Sequence, residues 1–333
     1  MVIIVFFIFH ALPGDPVAMM AGQRTDVSTK EAIMKDLGLD KPLPTQLKYY
    51  LNDLSPVSLH EDSQENKEKY GYQKLFSLGE NVLVLKTPYL RRSFQSNKKV
   101  SEIIWDHLEG TFWLAVAAMV FATILGIFMG IIAALYKNTW IDHSLISLSV
   151  VGISAPSFVA AILMAMIFGY YLADYTGLNI TGQLWVTDSI YGRQLELKNL
   201  ILPTITLGLR PLAIIVQLTR SSMLEVLSQD YIRTARAKGL SKRAVIFKHA
   251  LKNALNPVIT AVSGWLASLM AGAFFIEYIF NWKGIGLVTI KAIENLDFPV
   301  VMGATLFVAI IFIFVNLLVD ILYAIVDPRV RLS

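Results

Sequence analysis

Long apolar runs alternate with shorter polar segments along most of this chain. Five runs are long enough to cross a bilayer: 111–136, 144–172, 200–221, 258–279 and 300–325. A span needs about 20 mostly apolar residues, because the hydrocarbon core is roughly 30 Å thick and a helix rises about 1.5 Å per residue. A sixth run, 1–12, is shorter. No basic segment precedes it and no small-x-small cleavage site follows it, so a signal peptide fits poorly. It reads as the back half of a first transmembrane helix, truncated at its start. The pattern therefore predicts an all-α membrane protein with six transmembrane helices, the core spanning 111–326.

Basic residues set the orientation, because Lys and Arg near span ends stay in the cytoplasm. Segment 223–257 holds Arg233, Arg236, Lys238, Lys242, Arg243, Lys248 and Lys252 against Glu225 and Asp230. The loops 174–199 and 281–299 carry two basic residues each, matched or outnumbered by acids, and the tail 327–333 adds Arg329 and Arg331. Segment 223–257 and both chain ends are thus expected inside, which six spans satisfy. The polar stretch 13–110 then lies outside. It divides into a helix-like part, 28–54, and a charged part, 55–99, that lacks clear periodicity and is either a small ordered insert or a mobile loop.

Composition sharpens this reading. The chain has 333 residues, 55% of them apolar and only 16% charged, with mean hydropathy +0.56. A soluble domain carries about a quarter charged residues. With no cysteine, disulfides, thiolate metal sites and cysteine nucleophiles are excluded. The net charge of +4 gathers in one loop between apolar runs, so it speaks of topology and not of nucleic acid. There is no G-x-x-x-x-G-K-[ST] phosphate loop, no H-E-x-x-H pair and no G-x-S-x-G elbow. His10, His60, His107, His143 and His249 are scattered, so no catalytic, cofactor or metal site is expected.

Few polar residues fall inside the runs. Arg210 is near the middle of 200–221, where a charge costs roughly 2.5–3.5 kcal/mol on insertion scales. Either it pairs within the bundle, helped by a carbonyl freed at Pro211, or it lines a translocation path and meets a substrate carboxylate. Arg220, Glu277 and Asp320 lie near span ends and are expected to snorkel or pair at the interface. Gly126 and Gly130 form a G-x-x-x-G, which lets two helices approach closely, within the chain or with a partner.

Segment 230–257 carries the most information: DYIRTARAKGLSKRAVIFKHALKNALNP. Residues 231–238 favour a helix, Gly239 offers a left-handed stop, and Ser241 caps a second helix through Ala254. Val245, Ile246, Ala250 and Leu251 recur on it at helical spacing with basic residues between them. Such an element either lies on anionic membrane lipid or docks in a groove of a cytoplasmic partner.

These residues resemble the signature of binding-protein-dependent ABC-importer permeases, in the form typical of the dipeptide/oligopeptide (peptide/nickel) branch, Y-x-x-T-A-R-A-K-G-L followed by H-A-L-x-N-A-L-x-P. Tyr231, Thr234, Ala235, Arg236, Ala237, Lys238, Gly239, Leu240, His249, Ala250, Leu251, Asn253, Ala254, Leu255 and Pro257 match it. Arg233 and Thr234 replace the glutamate and first alanine of the general signature, and Lys252 replaces its proline. H-A-L-P-G-D-P at 10–16, S-A-P-S-F at 154–158, L-T-R-S-S-M-L-E-V-L at 218–227, E-Y-I-F-N-W-K-G-I-G at 277–286, D-F-P at 297–299 and D-P-R at 327–329 are similar to the same branch, and 55–99 looks like an insertion.

The resemblance implies a type I importer bundle in the bacterial cytoplasmic (inner) membrane, paired with a homologous second permease. Two cytoplasmic ATP-binding subunits would drive it, and an extracytoplasmic substrate-binding protein would deliver di- or oligopeptides, or alternatively nickel or another small solute. The loop around Gly239 would be the coupling helix, with Tyr231, Ala235, Arg236, Ala237, Lys238, Gly239, Leu240, His249 and Leu251 in contact with an ATPase. A membrane-embedded enzyme, weakened by the absent catalytic set, is one rival reading, and a self-sufficient secondary transporter or channel is the other. The chain lacks the inverted repeats, midplane half-helices or ionisable relay that the latter design uses.

Overall fold

The computed structural model describes residues 2–11, 34, 40–79, 81–188, 190, 192–271 and 273–326. The motif at 10–16, most of 28–39 and the tail 327–333 with its D-P-R fall largely or wholly outside the described residues. Two compact units divide the chain: Met1–His107 with Val288–Phe307, and Leu108–Leu287 with Val308–Ser333.

In the first unit, α1 (Val2–Ala11) is wholly apolar but for its last turn. Helix α2 (Leu43–Leu54) begins with Pro44 in its first turn, where a missing N–H costs nothing. Segment 55–99 is ordered. Strands β1 (Val57–Glu61), β2 (Gln73–Leu78) and β3 (Asn81–Leu85) form an antiparallel sheet in the order β1-β3-β2, with α3 (Gln64–Tyr70) between the first two. Ser63 caps α3 by accepting from the Asn66 N–H at 3.1 Å, and Gly71 ends it at φ 57°. The all-α expectation is therefore corrected outside the apolar runs. Only the central strand turns apolar side chains inward in clean alternation, with Val82 and Val84 buried, while β2 is exposed on both faces and irregular between Lys74 and Phe76.

A polar cluster underlies this sheet. Buried Asp53 accepts from the Tyr70 hydroxyl at 2.9 Å and the Arg91 Nε at 3.1 Å, and Lys86 donates to its backbone carbonyl. His60 stacks on Tyr70 with centroids 4.2 Å apart and bonds the Ser58 hydroxyl at 2.9 Å. Burial, reinforced by nearby Lys86, lowers the His60 pKa, and burial likewise lowers that of Lys86. In the same unit Asp297 accepts from the Ser93 hydroxyl and from the Phe94 N–H at 3.0 Å. The D-F-P motif thus pins the chain entering the last helix.

Among the described residues, three helices are long and apolar enough to cross a membrane: α4 (Val100–Leu135), α8 (Lys198–Leu227) and, within α14 (Phe298–Val326), the stretch Phe298–Val319. A fourth candidate is broken. Helix α5 (Trp140–Ser154) meets α6 (Ser157–Met164, continuing as a π-helical Ala165–Tyr171) at a bend of 107°. Pro156 stands at the break, lacking an N–H and disfavouring helix in the residue before it. The run 144–172 is therefore not one straight helix. Nor is 258–279, which divides into α11 (Asn256–Met270) and α12 (Phe274–Ile279). Between α6 and α8 lie α7 (Ala173–Thr176) and a hairpin of β4 (Trp185–Asp188) and β5 (Gly192–Leu195).

The G-x-x-x-G of α4 finds its partner within the chain. A Cβ on Gly126 would sit 2.7 Å from Ile215 Cγ2, and one on Gly130 would sit 2.5 Å from Thr219 Cβ and 2.8 Å from the Val216 carbonyl. Helices α4, α8 and α11 share one core, in which Ala115, Ala118, Ala122, Ile215, Val216 and Val258 are buried.

Candidate functional site

The chain leaves α8 at Leu227 and turns into α9 (Asp230–Ala237). Asp230 sits in its first turn, where a negative charge favours the helix, and ion-pairs with Arg233 at 3.1 Å. The helix ends at Gly239, φ 76°, in a Schellman arrangement. The Gly239 N–H donates to the Arg236 carbonyl at 3.0 Å and the Leu240 N–H to the Ala235 carbonyl at 3.3 Å. Ser241 then accepts from the Ala244 N–H at 3.3 Å and opens α10, made of Lys242–Ala244, a π-helical Val245–Ala250 and Leu251–Ala254.

The nine residues singled out in sequence divide by direction. Ala235 is buried in a core formed by Ile131, Met223, Ile232, Val245, Ile246 and Ala250, and Leu251 packs against it half-buried. His249 is half-buried. Tyr231, Arg236, Ala237, Lys238, Gly239 and Leu240 are exposed. Ala235 is small because the α9 backbone lies against this core, whereas Tyr231 (44% exposed) and Leu240 (42%) offer apolar surface among cations. Phe247, which the sequence reading did not single out, is 56% exposed. It alternates with inward Ile246, and that is the signal that could have found it. The result is a basic surface with apolar points, held by a core that continues into α4 and α8.

Charged residues elsewhere in the second unit are placed as follows. Arg220 grips Asp142 through Nε–Oδ1 and Nη2–Oδ2 contacts, both 2.6 Å, and Asp142 also accepts from the Asn138 N–H at 2.9 Å. Arg220 was expected to snorkel or pair; it pairs, with a partner not foreseen because the two are 78 positions apart. Glu277, expected to snorkel or pair at the interface, is instead fully buried. Its carboxylate accepts from the Thr111 hydroxyl at 2.7 Å and from the Gly286 and Leu287 N–H groups at 2.6 and 3.1 Å. It therefore caps the free N–H groups that open α13 (Ile285–Glu294). Gly284 and Gly286 are glycine because a Cβ at either would overlap that carboxylate. Arg210 is exposed on α8 and has no ion pair or hydrogen bond among the described residues. The Asp320 side chain lies outside the described residues.

Comparison with known proteins gives a consistent picture. Residues 126–332 match the family described as binding-protein-dependent transport system inner membrane component, and 1–115 match the family described as the N-terminal part of the membrane component of such systems. The dipeptide transport system permease protein DppB of Alkalihalophilus pseudofirmus is 37% identical, over 99% of this chain and 94% of that protein. DppB of Escherichia coli K12 is also 37% identical, over 99% and 93%. The glutathione transport system permease protein GsiC of Pectobacterium atrosepticum is 34% identical over 99% and 93%. Among solved structures, the inward-facing MetNI methionine ABC transporter aligns with TM-score 0.54 at 13% identity, covering 68% of this chain and 97% of that one, a likeness of fold. With its bent cationic loop, its apolar spans and near full-length relatives, the chain belongs to the binding-protein-dependent transport system inner membrane component family.

Proposed function

We propose that this chain is the permease subunit of an ATP-driven importer that carries di- or oligopeptides across the bacterial cytoplasmic membrane. The single observation that carries the reading is the surface at Gly239. Tyr231, Arg236, Lys238 and Leu240 project from a bend whose other face is locked into the core by Ala235 and Ile232. A push on that surface reaches α4 and α8 through packed side chains, because Ile131 and Met223 belong to the same cluster. The peptide class is favoured over nickel by the relatives, whose names specify dipeptide and glutathione.

In this reading six spans place 223–257 and both ends in the cytoplasm, and 13–110 outside. Two cytoplasmic ATP-binding subunits, one docked here and one on a homologous second permease, do the hydrolysis, and an extracytoplasmic binding protein delivers substrate. Loaded and empty ATPase states bind the loop differently, which biases the bundle between its two openings. The test is cross-linking. The Leu240→Cys variant should form a short thiol-directed cross-link to an ATPase subunit in membranes, and deletion of the gene should abolish uptake of defined peptides. Absence of both results overturns the proposal.

A further inference from the structure

Membrane-crossing helices that face lipid expose large apolar residues, and α4 and α14 do so. Val120, Ile124 and Phe128 are exposed on α4, and Ile310, Ile313 and Leu317 on α14. Helix α8 differs. Its exposed positions include Arg210, Gln217 and Ser221. At about 100° per residue these fall within an arc of roughly 40°, one stripe running down the helix. Helix α11, packed beside α8 in the same core, exposes Asn256, Thr260, Gly264 and Ser268, every fourth residue, with Ile259 as the one large apolar neighbour. Open space surrounds Gly264, where an added Cβ meets nothing within 4 Å.

The two seryl and threonyl hydroxyls at Ser221 and Thr260 bond back to their own helix, to Leu218 and Asn256 carbonyls at 3.1 and 3.4 Å, and tolerate any surroundings. Arg210 and Gln217 do not. Neither has a hydrogen bond among the described residues. A guanidinium held in hydrocarbon costs at least about 2.5 kcal/mol, so a mid-span arginine turned outward needs water or an anion. Among the described residues of α8 the one acid is Glu225, about four turns further along the helix.

We infer that the polar stripes of α8 and α11 together form this subunit's wall of the translocation path, and that Arg210 is the residue that takes the carboxylate of the passing peptide. The inference rests on the proposed function and adds to it a residue-level path and a preference for anionic substrate ends. Arg210 acts by a charge-assisted, two-pronged contact that neutral side chains cannot supply. Gln217 and Thr260 offer polar stations that are sequence-tolerant, as passage of varied peptides requires.

This chain has no cysteine, so a single introduced one can be followed on it once it is separated from its partner subunits by gel. In the assembled transporter, Arg210→Cys, Gln217→Cys and Gly264→Cys are compared with Ile124→Cys and Ile313→Cys for reaction with a charged, membrane-impermeant methanethiosulfonate. The first three are expected to react at least tenfold faster, and a transported dipeptide should slow their reaction. Separately, uptake of a zwitterionic dipeptide is compared with that of its C-terminal amide, with the same binding protein throughout. Arg210→Gln should erase the preference for the free carboxylate and Arg210→Lys should retain most of it. Equal labelling in both sets, or labelling of the Arg210→Cys variant only when the second permease is missing, overturns the inference. Wild-type chain that takes up no peptide at all overturns the proposed function instead, so the two failures are distinct.

Discussion

The Tyr231 hydroxyl accepts a hydrogen bond of 2.8 Å from the Asn253 side-chain amide, joining the two helices on either side of the Gly239 bend. Both residues belong to the motif from which the loop was recognised, and both are exposed. Their bond closes the angle between α9 and α10 from outside, as the Ala235 core closes it from within. Tyr231→Phe should leave folding within about 1 kcal/mol, the worth of one exposed hydrogen bond, yet loosen that angle. A double-mutant cycle with Asn253→Ala, read as uptake per ATP hydrolysed, is expected to show coupling between the two changes; additive effects would rule out a shared function.

Gly239 separates strain from sterics. Nothing lies within 4 Å of a Cβ placed there, so Gly239→Ala meets only the left-handed backbone penalty, about 1–2 kcal/mol. Gly239→Pro cannot reach φ 76° and also removes the donor to the Arg236 carbonyl. Uptake should fall partially for the first and be abolished for the second, with both proteins still found in the membrane. Transport by the proline variant would refute the coupling role.

The Arg220–Asp142 pair should be sensitive to shape as well as charge. Asp142 is 1% exposed at its side chain and Arg220 26%, so Asp142→Ala leaves a guanidinium short of two contacts. The loss expected is about 1.5–3 kcal/mol, the range for bonds to charged groups. Arg220→Lys should recover little, because an ammonium cannot make both contacts. Thermal unfolding in detergent would measure each.

Around Glu277 the tightest constraint is on Gly286, where a Cβ would lie 2.6 Å from the Phe274 Cα as well as against the carboxylate. Backbone cannot step aside as a side chain does. Gly286→Ala should therefore cost about 1–3 kcal/mol or more, and a lowered unfolding temperature checks it.

The sheet of the first unit should weaken in acid. Burial, then Lys86, lowers the His60 pKa below its ordinary 6.5. As pH falls through the ordinary histidine range, the unfolded chain takes up the proton and the folded one does not, so stability drops with pH there and is fully present above it. Protection factors of the β1 and β3 amides, taken relative to the intrinsic exchange rate at each pH, should fall as pH falls from about 7.5 to about 5.5, and His60→Gln should flatten that dependence.

How much of this was readable beforehand depends on the distance over which each feature is determined. The bent loop around Gly239 was legible because its determinants are neighbours: Gly239 stops one helix, Ser241 starts the next, and Val245, Ile246, Ala250 and Leu251 recur at helical spacing. The apolar runs were legible for the same reason, although Pro156 turns one of them through 107°. Glu277 was misplaced because one partner, Thr111, is 166 positions away, and the other two are backbone N–H groups of Gly286 and Leu287, which any residue but proline would supply and no side-chain pattern announces. Asp142 was overlooked likewise. The sheet escaped notice because Val82 and Val84 are its only clean apolar alternation, and the irregularity at Lys74 and Phe76 spoils the period of its neighbour.

The close seating of α4 on α8 has a mechanical corollary. Gly126 and Gly130 bring one main chain almost onto the Leu212 and Val216 carbonyls of the other, and Gly208 does the converse beneath Phe121. Neither rod can slide lengthwise without driving a side chain into backbone. The pair travels as one girder, and rearrangement is left to places where the main chain is already interrupted, such as Pro156, the Gly239 bend and the break between Met270 and Phe274.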